Sequence, residues 1–277
     1  MTPRALRGFA CAVLLALCAG CAEPAKRLYD EAGASASQGK WDRAKEIYTT
    51  LLDMYPQSRF APGATEKIAD IFAFVERDFE AAIEMYDLLL YNYSQSSLAP
   101  VALMKKAEIL KERRQDPVAS QELLERLYQN YPGFSERDHV LILMARCLES
   151  TENFTRQRKY LRELILTYPD SPHAAEAHYL YGMSCLADGL IDEALLTFKN
   201  FLCDYRNTRF AARAEIGYAE ALQEKHGKSE AANYLTAIID RYSTPERGIL
   251  AEQIKVLQSK VPISRIKIPG KRLRGRR

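Results

Sequence analysis

Histidine and tryptophan are scarce in this chain of 277 residues, which has only four histidines and one tryptophan. His139, His173, His178 and His226 are scattered, without a His-Glu-x-x-His, Cys-x-x-Cys, Gly-x-Ser-x-Gly or phosphate-binding glycine motif. The sequence therefore predicts neither an enzyme nor a metal site, and it indicates no cofactor. No segment alternates apolar and polar residues for long enough to predict a strand.

What the chain does have is a tyrosine that recurs every 37 or 38 residues. Each of these tyrosines ends an apolar run with helical spacing and begins a turn, in several cases with the sequence Tyr-Pro-x-Ser or a close variant. The set is Tyr55, Tyr93, Tyr131, Tyr168, Tyr205 and Tyr242. Self-similarity at a fixed period of this length is typical of a solenoid built from repeated units.

Each period contains two helix-length segments, separated by a short polar break such as Arg77-Asp78 or His226-Gly227-Lys228. Breaks of this length join antiparallel helices into hairpins. We therefore predict an all-α stack of about six helical hairpins, followed by one helix that caps its end. The predicted segments are Ala25–Met54, Phe60–Tyr93, Leu98–Tyr131, Glu136–Tyr168, Pro172–Tyr205, Arg209–Tyr242 and the cap Pro245–Lys260.

The second helix of a hairpin carries a small residue followed four positions later by a bulky one. A small residue lets two helices approach closely, and the bulky one fills the space beside it. The pairs are Ala44 and Tyr48, Ala82 and Tyr86, Ser120 and Leu124, Ala194 and Phe198, and Ala231 and Leu235, with Gln157 and Leu161 in the fourth hairpin. This pattern resembles the tetratricopeptide repeat, whose usual period is about 34 residues. The resemblance implies a tetratricopeptide-like solenoid.

The N-terminal segment predicts export and a lipid anchor. Arg4 and Arg7 precede an apolar run that is too short to span a bilayer and that ends at Ala19-Gly20-Cys21. These last residues resemble a bacterial lipobox, so we expect residues 1–20 to be a signal peptide and Cys21 to be acylated. The resemblance also implies an anchor in the outer membrane, on its periplasmic face. The alternative is ordinary cleavage after Ala22, which leaves a soluble periplasmic protein.

Charge divides the rest of the chain into a repeat domain and a tail. Of 39 basic residues, eight lie in residues 260–277, where there is no acid, whereas the repeat domain (residues 21–260) has an excess of acid. We expect residues 261–277 to be a disordered basic tail. It is either a solvated end or an arm for anionic lipid, an acidic partner or a second copy.

Three cysteines of the repeats, Cys147, Cys185 and Cys203, lie on predicted apolar helix faces, where a buried thiol is the usual interpretation. Cys185 and Cys203 belong to the two helices of one hairpin. In an oxidising compartment these two thiols can form a disulfide.

With no catalytic motif, binding is the function that the repeats predict. In stacked hairpins the first helices line a concave surface, and exposed apolar residues flanked by Lys and Arg suit an extended or helical peptide with acidic ends. The tetratricopeptide register places on this groove Tyr29, Lys67, Ile71, Phe74, Lys105, Ile109, Arg113, Ile142, Arg146, Tyr179, Met183, Ile216 and Glu220. For each residue the alternative is packing between hairpins, because a register error of one position moves them all.

The signal, the lipobox-like cysteine and the Tyr-Pro-x-Ser hairpins together resemble the BamD (YfiO) family of the outer-membrane β-barrel assembly machinery. That resemblance implies a lipid-anchored, non-enzymatic scaffold that binds an envelope protein or peptide segment and no nucleic acid. Six hairpins and a basic tail depart from that family. Two alternatives remain open: a periplasmic adaptor for peptidoglycan or Tol-Pal function, similar to the repeat domain of CpoB (YbgF), and a pilotin or secretion-system lipoprotein.

Overall fold

The computed structural model describes residues 24–259, which form helices joined by short turns, with no strand in that range. The predicted all-α, tetratricopeptide-like class is therefore confirmed, while the signal segment, Cys21 and the basic tail lie outside the described residues. The helices are α1 (24–37), α2 (Trp41–Met54), α3 (Ala61–Asp70), α4 (Phe79–Asn92), α5 (Ala99–Glu112), α6 (Pro117–Asn130), α7 (Arg137–Cys147), α8 (Phe154–Thr167), α9 (Ala174–Ala187), α10 (Ile191–Asp204), α11 (Ala211–His226), α12 (Lys228–Ile238) and α13 (Thr244–Gln258). None of these helices is long and apolar enough to cross a membrane.

The described residues divide into two compact units, one ending at Cys147 and the other beginning at Leu148. In the first unit, α2 to α7 each pack against the next helix in the chain, and α5 also contacts α7. In the second unit the same holds for α8 to α13, with further contacts from α11 to α9 and α13. Contact between the first helices of successive hairpins is the arrangement that the repeat predicted.

The small and bulky residues of the second helices form the centre of each hairpin's core. Ala82 and Ala194, predicted as helix contacts, are 0% exposed, and so are their bulky partners Tyr86 and Phe198. The Phe198 ring lies so close to α9 and α11 that a Cβ on Gly182 or Gly217 would come within 2.7 or 2.5 Å of it. A glycine at each point is what lets the helices approach.

The recurring tyrosine has a structural role in the turn that follows each second helix. The N–H of Tyr93 still donates to the carbonyl of Leu89, and the N–H of Ser96 then donates to the carbonyl of Tyr93. The Tyr93 hydroxyl reaches back 37 residues to donate to the carbonyl of Pro56, at 2.9 Å. Tyr93 thus closes its own helix and ties it to the preceding turn. The two backbone hydrogen bonds recur at Tyr55, Tyr131, Tyr168 and Tyr205, whereas the Tyr242 hydroxyl donates to Glu215 instead.

The thiols differ in their environment. Cys147 and Cys185 are buried, but Cys203 is exposed, so the prediction that all three are buried is wrong at Cys203. The buried residues Phe201 and Leu202 occupy the inner face of α10 at this point and turn Cys203 outward. No disulfide joins Cys185 to Cys203. Burial raises the pKa of the Cys185 thiol to about 12, which leaves it unreactive.

Candidate partner-binding surface

The first unit exposes an apolar surface where α3 ends. Beyond Asp70 the helix continues as a π-helix, Ile71–Glu76, which is the one π segment among the described residues. Arg77 then closes it with a left-handed backbone, φ 58°. A π segment widens the turn, and here Phe74 is 68% exposed and Val75 41% exposed.

Phe74 lines two cavities. The first, of about 260 Å³, is lined by Ala36, Trp41, Tyr48, Lys67, Asp70, Ile71, Phe74 and Val75, and we call it the Trp41 cavity. The second, of about 150 Å³, is lined by Ala73, Phe74, Phe79, Lys105, Glu108, Ile109, Glu112 and Arg113, and we call it the Phe79 cavity. Of the residues predicted for the groove, Lys67, Ile71, Phe74, Lys105, Ile109 and Arg113 line these cavities.

Lys105, predicted as a groove cation, is held in an internal network. Its Nζ lies 2.7 Å from Glu66 Oε1 and 2.8 Å from Asp70 Oδ1. Asp70 also accepts a hydrogen bond from the Tyr86 hydroxyl, at 2.9 Å. Burial lowers the pKa of Lys105, but the hydrogen bonds to Asp70 and Glu66 outweigh it, so the pKa is raised. This lysine is charged and neutralised within the fold, and it joins α5 to α3.

The acids of this surface were missed by the sequence prediction. Glu66 and Asp70 bind Lys105, and Glu108 Oε1 lies 3.2 Å from Nε2 of His139. These acids could have been found by counting residues from the start of each first helix. Tyr179 is five residues after the start of α9, and Glu66 is five residues after the start of α3, whereas the predicted Lys67 is six. The transferred register therefore slipped by one residue between hairpins.

Two predicted groove positions belong to the packing between helices. Tyr29 is partly buried, with its ring 5.6 Å from the rings of both Tyr48 and Phe60. Ile142 is 0% exposed, in the core of α7. Ile71 and Ile109 are also buried, at 4% and 6%, and reach the cavities only as part of their floors. The packing alternative thus holds for Tyr29 and Ile142, while Arg146 is half-buried on α7.

The second unit has its own set of predicted residues. Tyr179 is half-buried, and its ring stacks on Phe210 at 5.6 Å, with 22° between the planes. Met183, Ile216 and Glu220 are also partly exposed. These side chains lie on the first helices α9 and α11. Within residues 24–259 no group of three or more His, Cys, Asp or Glu residues is placed to hold a metal ion.

The geometry and the comparisons with known proteins agree on the class of fold. Residues 29–97 and 142–202 match the family described as Tetratricopeptide repeat. The second segment begins in α7 and continues through α8 to α10. No curated protein matches the chain.

Solved structures show the same fold at low sequence identity. A tetratricopeptide repeat protein from Parabacteroides merdae has a TM-score of 0.63 at 14% identity, covering 85% of this chain and 87% of its own. PilW, described as a widely conserved type IV pilus biogenesis factor, has 0.58 at 14%, covering 82% and 98%. YrrB, described as a tetratricopeptide protein with an unusual peptide-binding site, has 0.58 at 17%, covering 76% and 99%. At these identities the likeness establishes the fold.

Proposed function

We propose that this protein is a non-enzymatic scaffold that binds a segment of an envelope protein and works in outer-membrane protein assembly. The observation that carries the binding role is the apolar surface around Phe74, because a water-soluble fold gains nothing from leaving a phenylalanine 68% exposed beside Val75. Stacked first helices are the usual binding face of such repeats. The fold thus supplies a surface for a partner.

The proposed location depends on the N-terminal residues. An acylated Cys21 would hold the repeats at the periplasmic face of the outer membrane, where partners are envelope proteins. This part of the proposal is supported by the sequence Ala19-Gly20-Cys21 and its resemblance to the lipobox of BamD-like lipoproteins.

Photocrosslinking in cells tests the proposed binding face. Crosslinkers at Phe74 and Tyr179, on first helices, are expected to capture a partner. Matched sites at Glu84 and Lys199, on the second helices α4 and α10, are expected to capture less. Equal capture from both sets, or capture from neither, would remove the first-helix surface from consideration and leave the basic tail as the better candidate.

A pilotin is the second candidate, since PilW shares this fold and is described as a pilus biogenesis factor. The two functions differ in the protein that is captured. A β-barrel assembly component at Phe74 supports the first proposal, a pilus or secretin subunit supports the second, and a peptidoglycan or Tol-Pal protein supports the adaptor alternative.

A further inference from the structure

The exposed apolar residues at the end of α3 are not a requirement of the repeat. Counting from the buried alanines Ala64, Ala102 and Ala214, the tenth residue is Phe74 in the second hairpin but glutamate in the third and sixth. The eleventh is Val75 in the second hairpin, Arg113 in the third and Lys225 in the sixth. The same fold therefore accepts charged residues at these points, so Phe74 and Val75 serve something other than folding.

The two cavities have the size of side-chain pockets. At about 260 and 150 Å³ they are each smaller than the 300–1,000 Å³ that small-molecule sites usually occupy. The wall of the Trp41 cavity is largely aromatic and aliphatic, with Trp41, Tyr48 and Ile71. The Phe79 cavity combines apolar residues such as Phe79 and Ile109 with an equal number of charged ones. Since Phe74 lines both cavities, a chain that lies over it can reach both.

The charges around the two cavities favour an acidic partner. Of the acids on this surface, Asp70 binds Lys105, Glu76 binds Lys45 at 2.5 Å and Glu108 binds His139, while Glu112, which lines the Phe79 cavity, is exposed. Two cations remain open to solvent. The side chain of Lys67 is 45% exposed. Its Nζ lies 3.6 Å from Glu66 and from Asp70, the two carboxylates that bind Lys105 more closely. Arg113 is exposed and stacks on the Phe79 ring, 5.3 Å from its centroid.

We propose that Phe74 and the two cavities beside it form a two-pocket site for a peptide segment that carries two apolar side chains flanked by acidic residues. This rests on the proposed function and assigns the class of its partner segment. One apolar side chain enters the Trp41 cavity and the other enters the Phe79 cavity, while Lys67 and Arg113 attract the flanking carboxylates. The basic tail of this chain, residues 260–277, has the wrong charge to be the occupant.

Trp41 provides the measurement, because it is the chain's single tryptophan and lines one pocket. The full-length chain is titrated with short tryptophan-free peptides that carry two leucines between glutamates, with spacings suited to extended and helical forms. Titration calorimetry on the same samples detects binding that leaves the emission unchanged. We expect a saturable shift of Trp41 emission with the glutamate peptides, and at least about tenfold weaker binding for lysine-flanked versions.

Variants taken from the repeat itself make the test specific. Phe74→Glu introduces the residue that the third hairpin carries at Glu112, so the fold should tolerate it, and we expect at least about a tenfold loss of affinity. The control is Tyr91→Gln, which replaces an aromatic residue 85% exposed on α4 by the residue of the third hairpin, Gln129. This control should bind as the unaltered chain does.

Each contrary outcome has a defined meaning. Binding that Phe74→Glu leaves intact, equal binding of both peptide charges, or neither heat nor shift overturns the two-pocket site. A shift caused by a peptide of residues 260–277 assigns the site to the tail, and a shift that depends on protein concentration alone assigns it to a second copy. Partner capture at Tyr179 in cells together with any of these results retains the scaffold proposal and removes only this inference.

Discussion

At the scale of single residues, Phe198 of the second unit packs closely between α9 and α11. The ring is 0% exposed and has a glycine on each side, Gly182 and Gly217. A ring enclosed in this way has no free direction in which to move when an atom is added. The two glycines are therefore part of the packing of the hairpins, although glycine in a helix interior is itself unfavourable.

We predict that Gly217→Ala destabilises the protein by about 1–3 kcal/mol, because its Cβ would lie 2.5 Å from the Phe198 ring. Adding Phe198→Leu should recover part of this loss, since leucine is the residue used at Leu124 and Leu235 in other hairpins. Urea unfolding of the two single variants and the double variant measures the coupling.

The matched control for this prediction is Gly248→Ala. Gly248 also lies inside a helix, α13, but an added Cβ there meets nothing within 4 Å. Alanine should stabilise the chain by about 0.5–1 kcal/mol at that position. If both alanine variants shift stability in the same direction, the close approach at Phe198 does not control the packing.

Two histidines are predicted to titrate on opposite sides of their ordinary pKa of 6.5. The hydrogen bond to Glu108 raises the pKa of His139, whereas burial lowers the pKa of His178. The stabilising contribution of His139 is present below about pH 6.5 and is lost as the pH rises through its raised pKa. That of neutral His178 is present above about pH 6.5 and is lost as the pH falls through its lowered pKa.

Proton NMR of the imidazole C–H signals, assigned with one His→Gln variant at a time, measures both values. We expect Glu108→Gln to lower the pKa of His139 and to leave that of His178 unchanged. A His139 pKa that does not respond to Glu108→Gln would show that the contact between them is absent in solution.

At the scale of helices, the sequence predicted the second helix of a hairpin better than the first. The buried residues of α10, Ala194, Phe198, Phe201 and Leu202, fall on one face, so their spacing identifies the inner side. The eight buried residues of α9 are spread around the helix because it packs against neighbours on several sides. Such a helix gives no one-sided pattern, so the groove register transferred from the repeat differs by one residue between hairpins: Lys67 and Lys105 are six residues after the start of their helices, and Tyr179 is five after the start of α9.

The repeats also differ in the residue that takes a left-handed backbone in the turn between the two helices of a hairpin. Gly39 and Gly189 have positive φ angles of 74° and 79°, where glycine is unstrained, but the third hairpin has Gln115 at φ 54°. A left-handed backbone costs a residue with a side chain roughly 1–2 kcal/mol. Sequence alone did not reveal this conformation, because only some of the turns carry the glycine that favours it.

We predict that Gln115→Gly stabilises the protein by about 0.5–1 kcal/mol, since it relieves the backbone strain while the unfolded chain gains some freedom. The reverse change, Gly39→Ala, should destabilise by a similar amount. Thermal and urea unfolding of the two variants check the signs. A loss of stability in Gln115→Gly would indicate that its side chain makes a contribution larger than the strain.

At the scale of the whole molecule, the period of the tyrosines was enough to predict an all-α repeat fold, but it did not predict the two cavities of the proposed binding surface. The residues that make the two cavities come from α1 to α5, and their meeting depends on the π-helix at Ile71–Glu76. No sequence pattern marked that π segment. The acids that neutralise Lys105 were likewise hidden, because a one-residue change of register decides whether Glu66 or Lys67 faces the neighbouring helix.

The last prediction concerns where the molecule is held in the cell. If Cys21 is acylated, Cys21→Ser should move the protein from the membrane fraction to the soluble periplasm and abolish labelling by a fatty-acid analogue. Cys18→Ser, in the same N-terminal segment, is the matched control and should leave both unchanged. The physical reason is that an acyl chain contributes about 0.8 kcal/mol per buried CH₂ to membrane binding, and Cys21→Ser removes that contribution. A Cys21→Ser protein that stays in the membrane, together with an unlabelled wild-type chain, would show that another segment holds the protein there, and the basic tail would be the next to test.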